Sequence, residues 1–209
     1  MYWIGEKKKI ITFVVWVEVV VAGRKNTEYD RCLSFHGRPA HSLAIVMGSR
    51  LPPFLRTLNP SAEDNGMYTE ASFTHSDGLG TAHSIWWHPA VPLADSTVVL
   101  FVPGNPGLAS FYTEYLSELH SRSPNLGILA HSHLAHTPGV IDQPVFAKPA
   151  SVGLPNQLKS AIEALDAVKQ TLQPKHIVLV GHSLGGWLCL QVRPVGIPLH
   201  GMGFRFHRY

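Results

Sequence analysis

The sequence predicts an α/β fold in which a mostly parallel sheet is flanked by helices. Residues 97–102 and 177–180 are apolar and rich in Val, Leu and Ile, as expected of strands buried on both faces. Segments with helical spacing lie between and after these runs, and such alternation is typical of parallel α/β sheets. The second run ends in a G-x-S-x-G pattern, 181–185, which opens into another apolar segment.

Composition places the chain among globular proteins. Its 209 residues suffice for one domain, with 45% hydrophobic and 15% charged residues. The net charge of +3 is small and scattered, with 7–9 as the only lysine cluster, so nucleic-acid binding is not expected. Cys32 and Cys189 lie far apart, which favours a reduced intracellular protein without structural disulfides.

The chain divides into three parts: an N-terminal extension over 1–66, an α/β domain over 67–192 and an irregular tail over 193–209. Within the extension, 10–22 is an apolar run of 13 residues that is interrupted by Glu18 and is too short to span a bilayer. This run fits a signal-peptide core, a membrane-surface anchor or a strand. The remainder of the extension lacks periodicity and is rich in proline, which favours a linker or a disordered segment.

Within the domain, each element has its own signal. The elements are a hairpin of strands at 69–75 and 81–88, strands at 97–102, 126–130 and 177–180, and helices at 110–121 and 154–172. In the hairpin, Trp86 and Trp87 are expected to pack on the sheet faces.

The two helices are predicted from apolar spacing. The first carries Phe111, Tyr115 and Leu119 at four-residue intervals on one side. The second ends before Pro174, and its apolar residues recur at helical intervals, namely Leu158, Ile162, Leu165, Val168 and Leu172.

The G-x-S-x-G segment predicts a nucleophile elbow, a sharp turn between a strand and a helix that exposes Ser183. The glycines Gly181 and Gly185 are explained by sterics, since Cβ atoms two residues on either side of the serine would collide. The elbow also contains His182, and Gly186 places a small residue where the helix packs on the sheet.

In a parallel sheet, ligands bind beyond the carboxyl ends of the strands. The loop 103–107, the segment 131–136 and Ser183 all fall at that edge. Ser183 would attack an acyl group once a base takes its proton. The backbone N–H groups of Leu184 and Asn105 are the candidate oxyanion donors, and each such donor is worth ~10²–10³ in rate. The alternative for loop 103–107 is a simple glycine- and proline-rich turn.

Four motifs then resemble the lipid droplet-associated hydrolase family of serine α/β-hydrolases. The first is Pro-Gly-Asn-Pro-Gly at 103–107, with Phe-Tyr shortly after it at 111–112. The others are Ser-His-Leu-Ala-His at 132–136, Leu-Pro-Asn-Gln-Leu at 154–158 and Gly-His-Ser-Leu-Gly-Gly at 181–186. The similarity covers roughly 68–192, while 1–66 matches nothing expected of the family. It implies a partial α/β-hydrolase domain, the N-terminal half of that fold.

By this resemblance, Ser183 is the nucleophile, the loop glycines Gly104 and Gly107 belong to the oxyanion loop, and His133 and His136 match a histidine-containing loop of unassigned role. The resemblance further implies a lipid-ester substrate, such as a sterol ester or another neutral lipid. It also implies a place at the lipid droplet or the endoplasmic reticulum surface, on the cytoplasmic side. No cofactor is expected.

The sequence departs from the family after Ser183. A hydrolase of this fold places its acid and then its histidine after the nucleophile. Residues 184–209 contain no Asp or Glu, and their only histidines are His200 and His207. The chain therefore resembles a truncated hydrolase that is nearly inactive. An inactive fragment that acts as a lipid-droplet-associated or binding protein is the alternative. The missing later strands would also leave the strand at 177–180 with a bare, aggregation-prone edge.

A metal-dependent hydrolase is a lesser alternative. His131, His133 and His136 have the H-x-H-x-x-H spacing seen in metallo-β-lactamase-like hydrolases, and three imidazoles suit Zn²⁺. However, Ala135 occupies the position where that family has an Asp. Polar histidines at a pocket rim, without a metal, are therefore favoured.

Overall fold

The computed structural model describes residues 13–19, 51–58, 66–76, 78–136, 152–192 and 202–206. These residues form one eight-stranded sheet flanked by helices, which confirms the α/β fold class. The strands are β1 (Phe13–Val19), β2 (Leu55–Thr57), β3 (Thr69–Thr74), β4 (Thr81–Trp87), β5 (Thr97–Val102), β6 (Leu126–His131), β7 (His176–His182) and β8 (Met202–Phe206).

The sheet is mixed, and its order is β2-β3-β4-β6-β5-β7-β1-β8. Parallel pairing is confined to β6, β5 and β7, where β5 lies in the middle. The other pairings are antiparallel, so the prediction of a mostly parallel sheet holds only for this centre. One of these antiparallel pairs is the predicted hairpin, which forms as β3 and β4, and its short turn permits only antiparallel pairing.

Three helices follow the central strands, as predicted. After β5, a 3-10 turn (Ala109–Tyr112) leads into α1 (Thr113–Arg122). After β6, α2 (Leu154–Ala167) continues as a π-helical turn (Val168–Leu172), and α3 (Leu184–Gln191) follows β7. No helix within the described ranges is both long enough and apolar enough to cross a membrane.

The core has two sides, one on each face of the sheet. Helices α2 and α3 cover the face of β5 that carries Val98, Leu100 and Val102. Helix α1 covers the opposite face, where Leu116 packs with Val99 and Phe101. The expected packing role of the two tryptophans is confirmed, because Trp86 and Trp87 are fully buried on opposite faces.

Helix α1 uses a different face from the predicted one. Phe111 is 68% exposed and Tyr115 is 55% exposed, whereas Leu116 is buried. Tyr112 and Leu119 complete the contact with the sheet, and their spacing from Leu116 is that of one helical face. Of the predicted stripe, only Leu119 packs on the sheet, and Tyr112 and Leu116 take the places expected of Phe111 and Tyr115.

Strand β7 alternates between buried and half-buried residues, so the prediction of burial on both faces is wrong. Ile177 and Leu179 are buried, while Val178 and Val180 are half-buried. The difference follows from helix placement, since α3 packs on one face of β7 and α1 lies over β6 on the other side of the sheet.

The outer edge of β7 is paired, so the expectation of a bare edge is wrong. Strand β1 pairs with β7 in antiparallel register from Val14–His182 to Val19–Ile177, and β8 pairs with β1 in turn. The strand alternative for 10–22 therefore agrees with the structure. Strand β8 also lies in the tail that was expected to be irregular. Sequence patterns miss this arrangement because the partners are over a hundred residues apart along the chain.

Candidate active site

Ser183 occupies the junction between β7 and α3. Its backbone has φ 51° and ψ −115°, and its side chain is exposed. A positive φ is unfavourable for any residue with a Cβ, and strain of this kind costs of order 1–3 kcal/mol. The sharp reversal lets the chain pass directly from strand to helix, with Ser183 as the residue before the first helical turn. The G-x-S-x-G pattern predicts a sharp turn of this kind, and a nucleophilic role for Ser183 stays a prediction.

The flanking glycines are required by close backbone contacts. A Cβ at Gly181 would overlap the backbone of Gly185 and the nitrogen of Gly186. A Cβ at Gly185 would overlap the carbonyl oxygen of Val102 at the end of β5 and would lie 2.5 Å from the Pro103 carbonyl oxygen. The start of α3 therefore packs directly on the ends of β5 and β7.

The loop 103–107 lies against this elbow. A Cβ at Gly104 would lie 3.0 Å from the Cβ of Ser183 and 2.6 Å from Nδ1 of His182. The loop closes through a 2.7 Å hydrogen bond from the N–H of Gly107 to the carbonyl of Gly104, and Gly107 has a φ of 91°. Asn105 is exposed at the tip. The structure thus brings the predicted nucleophile and the predicted oxyanion loop into contact.

His133 supports the same loop from the opposite side. Its N–H donates to the carbonyl of Gly107 at 2.9 Å, and a Cβ at Gly107 would lie 2.6 Å from the imidazole. Burial, with a smaller contribution from His136, lowers the pKa of His133 to about 4, although a hydrogen bond to the Pro103 carbonyl opposes this. His133 is therefore buried and neutral rather than a polar residue at a pocket rim.

His131 is directed away from the other two histidines of the H-x-H-x-x-H segment. Its ring nitrogens lie 3.0 Å from Ser84 Oγ and 2.9 Å from Ser160 Oγ. His136 is half-buried, with Nδ1 2.9 Å from the Leu134 carbonyl. The described part of the chain contains no group of three side chains placed to hold a metal ion, and this geometry argues against the metal alternative.

A buried hydrogen-bond chain that sequence reasoning missed runs through His131. Ser160 Oγ lies 3.0 Å from His75 Nε2, and His75 Nδ1 lies 2.9 Å from Glu163 Oε2. Glu163 also accepts hydrogen bonds from the backbone and the hydroxyl of Ser76. Four elements supply these groups, so no spacing rule identifies them. The only available signal is Ser160, a polar residue on the buried face of α2.

The charge states along this chain follow from burial. Desolvation lowers the pKa of His75, and the nearby Glu163 only partly offsets that effect. Burial also lowers the pKa of His131 well below its usual range, and the neighbouring histidines add to the shift. At Glu163, burial raises the carboxyl pKa, but the hydrogen bonds from Ser76 and His75 outweigh it and leave the pKa lowered. The chain is therefore a neutral histidine pair that ends on a carboxylate.

Ser183 Oγ makes no hydrogen bond to any residue that the structure describes. Its neighbour His182 instead places Nδ1 2.8 Å from the hydroxyl of Tyr112, and burial lowers the pKa of this imidazole. His200 and His207 lie outside the described residues. Cys189 in α3 is no rival nucleophile, because burial raises the pKa of its thiol to about 12.

A separate cavity of about 490 Å³ lies at the other edge of the sheet, lined in part by Tyr68, Trp86 and His120. It adjoins the start of β6 and therefore lies away from the carboxyl ends of the parallel strands. Ser183 does not line this cavity.

Comparison with known proteins gives the following similarities. Residues 95–196 match the model of the lipid-droplet associated hydrolase family. The chain is 28% identical over 110 residues to a lipid droplet-associated hydrolase of Drosophila melanogaster. The aligned segment covers 48% of this chain and 34% of the relative. The chain thus spans about a third of the length of that curated relative. No solved structure matches it significantly.

The matched segment contains β5, α1, β6, α2, β7 and α3, and with them the loop 103–107 and the elbow at Ser183. The family resemblance inferred from the four motifs is confirmed. Residues 95–196 of this chain are thus similar to the lipid-droplet associated hydrolase family.

Proposed function

We propose that the chain carries the nucleophile and the oxyanion donors of a serine hydrolase that acts on lipid esters. Ser183 Oγ would attack the ester carbonyl carbon, and the carbonyl oxygen would take up the negative charge. The observation that carries the proposal is the exposed Ser183 at φ 51°, located immediately before α3 and against the loop at Gly104.

Two backbone N–H groups are the proposed donors to the developing oxyanion. Leu184 is the first residue of α3, so its N–H has no partner within the helix and lies at the positive end of the helix dipole. Asn105 follows Gly104, where an added Cβ would lie 3.0 Å from the Cβ of Ser183. A pair of preorganised donors stabilises the charge that appears only during the reaction.

Ser183 needs a base to become a good nucleophile. Since no described residue forms a hydrogen bond with its Oγ, we expect the 209-residue chain to react slowly. Without a triad base, oxyanion donors and substrate binding still accelerate the reaction roughly 10³–10⁴-fold over the uncatalysed rate.

The proposed substrate class rests on the family and on the printed name of the relative. A hydrolase associated with lipid droplets implies lipid esters, with sterol esters or other neutral lipids as the proposed substrates. The proposed location is the droplet or endoplasmic reticulum surface, on the cytoplasmic side.

Labelling of the purified chain with a fluorophosphonate probe tests the proposal. We expect slow covalent labelling that is lost in Ser183→Ala and retained in the control Ser121→Ala, which removes an exposed hydroxyl on α1. Mass spectrometry of the labelled peptide identifies the serine.

Equal labelling of the wild type and Ser183→Ala would contradict a nucleophilic role for Ser183 and would favour the inactive binding protein. Treatment with EDTA should change nothing. Labelling that is lost with EDTA and restored by Zn²⁺ would instead support a metal-dependent reaction.

A further inference from the structure

Tyr112 joins the two halves of the candidate active site. It lies at the end of the 3-10 turn before α1, half-buried, with its ring 4.7 Å from the ring of Phe101 and 5.7 Å from that of His182. Its hydroxyl oxygen lies 2.8 Å from His182 Nδ1 and 3.3 Å from the backbone nitrogen of Gly104. One hydroxyl therefore contacts both the elbow and the oxyanion loop.

The donor is fixed in one of these hydrogen bonds, and in the other it is part of the inference. The N–H of Gly104 can only donate, so the oxygen of Tyr112 accepts there. The single hydroxyl hydrogen of Tyr112 is then free to be donated to His182 Nδ1. With Tyr112 as the donor, Nδ1 accepts, and a neutral His182 then carries its proton on Nε2.

This arrangement also determines which amide of the loop can bind an oxyanion. The N–H of Gly104 is directed to Tyr112, so it is not available to a substrate. The next amide along the loop is that of Asn105, the proposed donor. A small displacement of Gly104 would move this amide relative to Ser183, and misplacement by ~1 Å can cost ~10² in rate.

We propose that Tyr112 is a positioning residue that holds the oxyanion loop against the nucleophile elbow through His182 and Gly104. The inference rests on the proposed function of Ser183, and it assigns no contact between Tyr112 and the substrate. Tyr112 acts on the reaction by fixing the distance between the Asn105 amide and Ser183.

Tyr112→Phe removes the hydroxyl and retains the ring that packs on Phe101. The matched control is Tyr115→Phe, the same change one helical turn later, on a side chain that is 55% exposed. We expect Tyr112→Phe to lower the rate of fluorophosphonate labelling of Ser183 about fivefold or more, because one hydrogen bond is worth about 1 kcal/mol. Tyr115→Phe should label at the wild-type rate.

A second measurement separates positioning from general stability. Nitrogen-15 NMR of the imidazoles should show the Nε2–H tautomer of His182 in the wild type, and a mixture of tautomers in Tyr112→Phe. The Gly104 amide should exchange with solvent at least severalfold faster in that variant, while amides in the middle of β5 keep their exchange rates. A structural role alone would change exchange in both places.

The outcomes distinguish this inference from the proposed function. If Ser183 is labelled in the wild type and Tyr112→Phe labels equally fast, the positioning role is wrong. If Ser183 is not labelled at all, the proposed function fails, and the NMR measurements alone decide the role of Tyr112. An unchanged tautomer of His182 and unchanged exchange at Gly104 would then overturn it.

Should Tyr112→Phe fail to fold, His182 provides the second route. His182→Gln keeps an acceptor for the Tyr112 hydroxyl, whereas His182→Leu removes it. We expect the Gln variant to label Ser183 severalfold faster than the Leu variant. Equal labelling of these two variants would also contradict the inference.

Discussion

The buried imidazole of His133 makes the stability of the fold depend on pH. Its pKa is lowered from 6.5 to about 4 by burial and by His136. Its Nε2 is buried and has no hydrogen-bond partner among the described residues, so a proton there would lack an acceptor. Because the folded-state pKa lies below the unfolded value, the unfolded chain binds a proton first as the pH falls. Stability should therefore be unaffected near pH 8 and should fall between about pH 6.5 and pH 4.

The magnitude follows from the two pKa values. A tenfold difference in proton affinity is worth about 1.4 kcal/mol, so the change to about 4 corresponds to a total of about 3 kcal/mol. Between pH 8 and pH 5, the titration of His133 lowers the free energy of unfolding by about 2 kcal/mol. His131 and His75 also have lowered pKa values, so the wild type should lose more than this in total.

Urea unfolding of the wild type and of His133→Gln at pH 8 and pH 5 isolates this contribution. Glutamine does not titrate, so the variant should lose about 2 kcal/mol less than the wild type between the two pH values. The difference in unfolding free energy between the two proteins at pH 8 gives the effect of the substitution that is unrelated to protonation, and it is subtracted from the difference at pH 5. Equal losses in the two proteins would refute the argument, and would mean that a proton on His133 is accommodated in the folded state.

Three further predictions concern packing, the buried network and the sheet edge. Gly185→Ala should lower the free energy of unfolding by about 3 kcal/mol, because its Cβ would overlap the Val102 carbonyl. The control is Gly78→Asn, since nothing lies near a Cβ at that position. Similar melting temperatures for the two variants would contradict this prediction. Glu163→Gln should lower the free energy of unfolding, measured with urea at pH 7, by about 1–2 kcal/mol, because it weakens the hydrogen bonds from His75 and Ser76. The exposed control Glu118→Gln should stay near the wild type. Equal urea midpoints for the two variants would argue against the network. Deleting residues 1–22 removes β1 and uncovers β7, so the chain should form larger species in size-exclusion chromatography, and an unchanged monomer peak would show that the edge needs no partner.

The elements of the centre could be predicted because their signals are local. The apolar run of β5 has the same bounds in the structure as in the sequence pattern, and the elbow at Ser183 follows from steric limits on Gly181 and Gly185 that act within a few residues. The helix after β5 was predicted, but its buried face was not. Apolar residues at 111, 112, 115, 116 and 119 fit two overlapping stripes, and the packing of α1 on the sheet selects Leu116 over Tyr115.

Pairings between distant segments could not be predicted in the same way. Strand β1 has the composition of a strand, but nothing in its sequence indicates that it pairs with β7. The hydrogen bonds of His131 with Ser84 and Ser160 likewise depend on where α2 lies over the sheet. The H-x-H-x-x-H spacing suggested a shared ligand. However, β6 ends at His131, so His133 and His136 lie in the loop beyond it and strand periodicity does not align them with His131.

The contacts of the loop 103–107 connect the histidines to the proposed chemistry. At Gly107 the loop is held by His133, and at Gly104 by Tyr112 together with His182. Burial lowers the pKa of both histidines. In acid, a protonated His133 lacks an acceptor for its second proton, which weakens the support at Gly107. A protonated His182 would instead donate to the Tyr112 oxygen, which reverses that hydrogen bond. Stability and the geometry of the loop 103–107 should thus be lost in the same direction of pH, because the neutral imidazole of His133 maintains both.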